Sequence, residues 1–402
     1  MPANATDTPT YIPGKSGPGP VQQTSFSIRG RGASLPGYSE VGLQERAMDR
    51  YEVVKPLGEG GMGEVSLVQD HDIDRRVAVK FLHSDIADPG MVARFIEEIH
   101  TVGQLEHPNI VPIHDAGRDD DGRYFFVMKH IEGETLGTII AKLREGDPAY
   151  LARYTFLERV EIFIGILNAL KFAQGKGFVH RDLKPANVMV GRSGEVVLMD
   201  WGLSKSVTGE HAMPPQAKDA DGAEVHHSGA RLVQTQAGSL MGTPHYMSPE
   251  QAAGRNDAVD ARSDLYSACV LFHELMFLEH YLEGREELND ILAGVMTQPV
   301  NSSWISGYNR YPKAPPAYLH IIIKGMQKDP ALRFQSAEEL IKRLRSVQDG
   351  SAPIQCAATF ARRAASELTR LADRNPGAVL MMGAGSAALV MASAVTLLVR
   401  LI

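Results

Sequence analysis

The chain has 402 residues, 44% hydrophobic and 22% charged, an ordinary globular mix that excludes a wholly disordered or collagen-like chain. Its 41 Lys and Arg against 48 Asp and Glu give a net charge of −7, so nothing points to a nucleic-acid binder whose affinity comes from a basic face. Only two cysteines occur, Cys269 and Cys356, which excludes a disulfide scaffold and any Cys-x-x-Cys metal pair.

Residues 1–46 show recurrent Pro and Gly without apolar periodicity, so a disordered arm is expected there, with no apolar core of a signal peptide. From Tyr51 to Lys80 apolar residues alternate around a glycine cluster. Val65, Leu67, Val77 and Val79 predict a strand pair preceded by a Gly-rich turn. Val92, Phe95, Ile99 and Val102 predict a helix from Met91 to Leu105, and Phe125–Met128 predicts a short strand. After Thr135 the pattern is mostly helical, as at Phe163, Ile164, Leu167 and Leu170, with strand signals at Asn187–Val190 and Glu195–Met199. Residues 206–236 are polar and predict a long loop, and helical segments follow from about Ser263 to Ser346. The outline is α+β: a small β-rich lobe over about 51–131 and a larger helical lobe over about 132–346. Residues 347–376 are expected to be a linker. From Gly377 to Val399 run 23 residues without a charge. At about 1.5 Å per residue they make a helix of roughly 34 Å, enough to cross a hydrocarbon core of about 30 Å, and a transmembrane helix is expected.

Gly58-Glu59-Gly60-Gly61-Met62-Gly63-Glu64-Val65 has the spacing G-x-G-x-x-G-x-V. Such glycines let a hairpin sit close over phosphates with backbone N–H groups facing them. A strand follows, not the helix that a dinucleotide-binding turn needs, and the P-loop lysine is absent. Seventeen residues beyond Gly63, Lys80 ends the apolar run Val77-Ala78-Val79. A buried ammonium needs an anion, which phosphate oxygens and a helix carboxylate would supply. Glu98 is the candidate carboxylate, with Glu97 as the competitor one position away, and a snorkelling surface lysine is the plainer alternative. In His180-Arg181-Asp182-Leu183-Lys184-Pro185-Ala186-Asn187, Asp182 can accept a hydroxyl proton, Lys184 can offset phosphoryl charge, and Asn187 offers a hard oxygen to Mg²⁺. Asp200, in Asp200-Trp201-Gly202 at the end of a predicted strand, is a second hard ligand.

These parts, in this order, resemble the eukaryotic-type protein kinases, most of all the bacterial (Hanks-type) serine/threonine kinases, over about residues 51–346. Further matches are His107-Pro108-Asn109-Ile110-Val111, Gly242-Thr243-Pro244, Ser248-Pro249-Glu250-Gln251, Arg262-Ser263-Asp264 and Asp329-Pro330-Ala331-Leu332-Arg333-Phe334. The resemblance implies an ATP-dependent, non-specific serine/threonine protein kinase, with protein Ser and Thr hydroxyls as acceptors. It implies that Leu57, Gly58, Gly60, Gly61, Gly63, Val65 and Ala78 cover ATP, and that Lys80 holds the α and β phosphates and pairs with Glu98. Met128 would sit behind the adenine, with Lys129 to Ile131 as the connecting segment. Asp182 would be the catalytic base, and Asn187 and Asp200 would hold Mg²⁺ or Mn²⁺. Glu250 would pair with Arg333, and Asp264 would brace the catalytic loop. Lys184 and Thr243 follow the serine/threonine pattern.

Trp201 stands where the family has Phe, and Ser248 where it has Ala. Arg181, beside Asp182, implies a receptor for a phosphate on the loop that follows, with Thr235 the first choice and Ser239 nearer to Thr243; an ordinary polar loop is the alternative. The rival functional reading is a membrane-anchored pseudokinase scaffold, whose mark would be loss of Lys80, Asp182, Asn187 or Asp200, yet all are present. Arg362, Arg363, Arg370 and Arg374 precede the charge-free run and only Arg400 follows it, so a single-pass tail anchor in the cell membrane with a cytoplasmic catalytic domain is expected. Ala384, Ala388 and Ala392, four apart, make a homodimer through that helix one reading and plain lipid-facing filler the other.

Overall fold

The computed structural model describes residues 50–60, 63–83, 89–201, 205–206, 244–300 and 314–375. The expected N-terminal arm, most of the long loop, Gly61, Thr235, Ser239, Thr243 and the charge-free run 377–399 lie outside them. Among the described residues no helix is long and apolar enough to cross a membrane.

The N-terminal lobe is a sheet of β1 (Tyr51–Gly60), β2 (Gly63–Asp70), β3 (Arg75–Leu82), β4 (Ile113–Arg118) and β5 (Tyr124–Lys129) in the order β1-β2-β3-β5-β4. All the pairings are antiparallel. The strand pair read from Val65–Val79 is β2–β3. Tyr51, Val68, Val77, Val79, Phe81, Phe125 and Val127 form a buried cluster of the sheet. Gly60 pairs with Gly63 across the turn between β1 and β2. A Cβ at Gly63 would lie 1.9 Å from the Phe81 carbonyl oxygen, so only glycine allows β2 this close to β3. Helix α1 spans Pro89–Gly103, two residues earlier at each end than the apolar spacing predicts. Its proline sits in the first turn, where the missing N–H costs nothing. Phe95 and Phe126 meet at 5.3 Å between ring centres and tie α1 to β5. Strand β4 carries no strand signal in its polar sequence Ile-His-Asp-Ala-Gly-Arg; backbone pairing to β5 makes it an edge strand.

The C-terminal lobe opens with β6 (Gly133–Thr135), α2 (Leu136–Glu145), α3 (Pro148–Arg153) and α4 (Phe156–Gly175). Helix α2 starts on the Thr135 hydroxyl, which accepts the Thr138 N–H at 3.1 Å, and ends at Gly146 with φ +80°. Helix α4 is buried over most of its surface, and all round along its continuous apolar stretch Ile162–Leu167. The short β7 (Phe178–Val179), β8 (Val188–Gly191), β9 (Val196–Leu198) and β10 (Lys205–Ser206) follow, in the sheets β6-β8-β9 and β10-β7. Then come α5 (Pro249–Ala252), α6 (Ala261–Phe277), α7 (Leu288–Thr297), α8 (Pro316–Gly325) and α9 (Ala337–Gln348). Phe163 of α4 stacks on Phe272 of α6 at 4.2 Å. Residues 347–376, expected to be a linker, hold an 18-residue helix, α10 (Ala357–Arg374).

The two lobes are stitched together at β9. Val111 N–H donates to the Leu198 carbonyl at 3.1 Å and Leu198 N–H donates to the Asn109 carbonyl at 2.8 Å. The Asn109 amide adds a bond to the Val196 carbonyl at 2.7 Å.

Candidate active site

A cavity of about 720 Å³ opens between the lobes. Leu57, Gly58, Gly60, Gly63, Val65, Ala78, Met128, Lys129 and Ile131 line one part of it. Lys80, Glu98, Asp182, Lys184, Asn187 and Asp200 line another. The volume falls in the range of small-molecule sites, about 300–1,000 Å³, and the split into apolar wall and charged end suits a ligand with a flat base and a phosphate tail.

Register explains the apolar wall. On β3 and β5, Ala78 stands opposite Met128 and Lys80 opposite Phe126. The period of two therefore sends Ala78 and Lys80 to the same face. Lys80 Nζ lies 2.9 Å from both Glu98 oxygens and 3.3 Å from Asp200 Oδ1. Of the two sequence candidates, Glu98 is the partner, 2% exposed on α1. Glu97, one position earlier, feels Arg181 and Arg94 instead. Burial works against the Lys80 charge, yet the Glu98 and Asp200 carboxylates outweigh it and push the ammonium up to about 12. Burial raises Glu98 to about 7 in spite of the lysine. Asp200 is also opposed by burial, but Lys80 and Lys184 hold it below the usual carboxylate range.

The catalytic-loop candidates converge on Asp182. Lys184 Nζ is 2.6 Å from Asp182 Oδ2, and Asn187 Nδ2 donates to the Asp182 carbonyl at 2.9 Å and to Oδ2 at 3.3 Å. That use of the Asn187 amide nitrogen leaves its oxygen as the ligand atom. His180 Nδ1 accepts the Asp182 N–H at 3.2 Å, which puts the ring proton on Nε2, 3.1 Å from the Met199 carbonyl. Asp264, 2% exposed, accepts the His180 N–H at 2.8 Å and the Arg181 N–H at 3.0 Å from below the loop. Both Arg181 (φ +68°) and Asp200 (φ +61°) lie in the left-handed region, a conformation non-glycine residues hold only when surrounding bonds over-determine it. Arg181 Nε and Nη2 are buried without hydrogen-bond partners among the described residues. Burial lowers its pKa, and Asp264 and Glu97 pull the other way.

Glu250 and Arg333 lie in the C-terminal lobe, away from the cavity lining, in a bidentate pair at 2.8 Å and 2.8 Å. Ser248 caps α5 from a fully buried position: it accepts the Gln251 N–H at 3.4 Å while its own N–H goes to Gln251 Oε1 at 3.0 Å. Alanine, the family's residue here, would lack the hydroxyl that accepts the Gln251 N–H. Trp201 is fully buried with its ring 4.6 Å from that of His180, and its indole N–H has no partner among the described residues.

Sequence reasoning missed two contributions. The Gln251 amide donates to the Arg181 carbonyl at 2.8 Å and ties α5 to the catalytic loop; the residue stood in a recognised motif, but only the fold brings it there. Met189 and Met199 also line the cavity, and their places two residues after Asn187 and next to Asp200 were the available signal.

Asn187 and Asp200 supply one neutral and one charged oxygen, a donor set that fits a hard divalent cation sharing its remaining positions with phosphate and water. Among the described residues no cluster of three or more His, Cys, Asp or Glu offers another metal site.

The profile of the protein kinase domain matches residues 51–344. A probable serine/threonine-protein kinase of Streptomyces coelicolor is 34% identical over 335 residues, 82% of this chain and 44% of that protein. The serine/threonine-protein kinase PknD of Protochlamydia amoebophila is 32% identical over 78% of this chain and 31% of its own length. PknB of Mycolicibacterium smegmatis is 33% identical over 76% of this chain and 44% of its own. The chain thus spans less than half the length of these curated relatives.

Proposed function

The chain belongs to the protein kinase family, and from that premise we propose that it transfers the γ-phosphate of ATP to Ser and Thr hydroxyls of proteins. The observation that carries this is the convergence of Asp182, Lys184, Asn187, Asp200 and the Lys80–Glu98 pair on one cavity. Asp182 accepts the proton of the attacking hydroxyl while the new O–P bond forms and the bond to the bridging oxygen of ADP breaks. Lys184, already 2.6 Å from Asp182, offsets charge on the phosphoryl group in transit. Lys80, positioned by Glu98, binds the phosphates that stay behind. Asn187 and Asp200 would hold Mg²⁺ or Mn²⁺, which when bound neutralises charge on phosphate oxygens.

The test is transfer of labelled phosphate from ATP to a Ser/Thr-containing protein, wild type against Asp182→Asn. The amide keeps the side chain's shape but cannot take the proton, so turnover should fall by about 10²–10⁴-fold. Absence of transfer by the wild type would leave a nucleotide-binding scaffold instead. Asp200→Ala should lose transfer at saturating ATP, and a chelator should abolish wild-type transfer until Mg²⁺ or Mn²⁺ is restored. Undiminished turnover with the chelator present would refute the metal assignment.

We further propose that residues 377–399 anchor the protein in the cell membrane, with the catalytic domain on the cytoplasmic side, where the flanking arginines are. The Arg181 donors, unpartnered among the described residues, support phosphorylation of the following loop, with Thr235 first. The four-residue spacing of Ala384, Ala388 and Ala392 supports pairing of two anchors.

A further inference from the structure

Helix α10 turns its polar side toward the protein and its apolar side away. Thr359 is 6% exposed, and Arg363 and Ser366 are half-buried. Gly350, at φ +73°, approaches so closely that a Cβ there would lie 2.1 Å from Ser366 Oγ. Arg370 donates to the Asp349 carbonyl, and α10 packs on α8. The spacing 359, 363, 366, 370 is one helical face. A second stripe, Phe360, Ala364, Leu368 and Leu371, runs well round from it at the same kind of spacing. Phe360 is 58% exposed, Leu368 53% and Leu371 38%. Single exposed apolar residues are ordinary, but a whole stripe at helical spacing marks a surface that something covers.

Two observations commit the stripe to lipid. The charge-free run begins at Gly377, after only Asn375 and Pro376 beyond the end of α10. Three residue steps reach about 10 Å at most, so a bilayer crossed by that run lies beside the helix. Residues 357–374 also carry four arginines against Glu367 and Asp373, an excess of cations that suits anionic headgroups.

We propose that α10 lies along the cytoplasmic surface of an anionic phospholipid bilayer, with Phe360, Leu368 and Leu371 in the boundary between headgroups and acyl chains. This rests on the reading of 377–399 as a membrane anchor. Interfacial helices bury their apolar face by about 5–10 Å. Because the other face is fixed to α8 and to the turn after α9, the helix would hold the catalytic domain at one orientation and height above the membrane.

The experiment uses the full chain in vesicles of phosphatidylcholine and phosphatidylglycerol. Cys269 is fully buried, so in a Cys356→Ser background Leu368→Cys or Thr369→Cys gives a single labelling site for an environment-sensitive fluorophore. Thr369 is exposed on another side of the helix. The probe at 368 should shift to the blue and lose most of its emission to lipids brominated on the acyl chain, while the probe at 369 should do neither. Phe360→Glu should weaken the quenching at 368. Alkaline carbonate extraction of the same vesicles reports the anchor separately. Protein retained, with the probe at 368 unshifted and unquenched, overturns the proposal and leaves the anchor standing. Protein stripped by carbonate overturns the anchor, and this proposal with it. A blue shift that brominated lipid does not quench, and that fades as protein is diluted in lipid, assigns the stripe to a second copy of the chain and overturns the proposal.

Discussion

Lys80→Met should abolish phosphoryl transfer, by a hundredfold or more, in a protein that still folds. The ammonium sits between Glu98 and Asp200, at 2.9 Å and 3.3 Å, where phosphate oxygens would meet it. Methionine keeps most of the apolar stem near the Phe126 ring, 5.7 Å from the present Nζ. The danger to the fold is the carboxylate left behind. Glu98 is fully buried and already pushed up to about 7 by burial. Without the lysine it takes up a proton near neutral pH rather than staying ionised in a closed space, which limits the cost. Thermal unfolding should therefore change little while labelled-phosphate transfer disappears. Turnover near that of the wild type would sink the assignment of Lys80.

Arg333→Met should produce the largest stability loss, about 3–5 kcal/mol, because it leaves a buried carboxylate without its counter-charge. Arg333 and Glu250 are 0% and 2% exposed at the side chain. The guanidinium also donates to the carbonyls of Gln327 at 2.7 Å, Lys328 at 2.9 Å and Arg262 at 3.2 Å, so with the two Glu250 oxygens five acceptors lose a partner together. Burial favours the neutral form of Glu250, but hydrogen bonds from Arg333 and Ser263 outweigh it and hold the carboxyl below the usual range. A lowered folded pKa stabilises the protein fully above the ordinary glutamate range, and the contribution is lost as pH falls through the lowered value. Urea unfolding of the full chain at neutral and acid pH should show that acid dependence in the wild type and less of it in Arg333→Met. The double variant with Glu250→Gln should cost less than the two single changes added together. Strict additivity would mean that the two side chains stabilise the lobe independently.

The charged end of the cavity was legible because its chemistry needs particular side chains at particular spacings. Lysine at a strand end, and acid, cation and amide within one short loop, have few substitutes. Helical spacing alone kept Glu97 as a competitor, the family resemblance favoured Glu98, and the helix rotation that seats Phe95 against Phe126 brings Glu98 to Lys80. Strand β4 escaped because it borrows its structure from β5 and carries no alternation of its own. Helix α10 lies where a linker is expected, because its apolar residues mark no core: they face outward. The Gln251 bond to Arg181 spans 70 residues of sequence, a closure no local pattern encodes.

The stitching at β9 has a mechanical consequence. The strand that delivers Asp200 is bonded to Asn109 and Val111 on one side, and Met199 is bonded to His180 and Asn187 on the other. It is therefore placed as a fulcrum would be. Were the two lobes to swing about it, displacement would grow with distance from the pivot: the far ends of β1 and β2 would move most, and the spacing between Asp200 and the loop bearing Asp182 least. On the proposed function, the mouth of the cavity could then open without Asp182 and Asp200 losing their alignment, and each transfer would begin from an already assembled set.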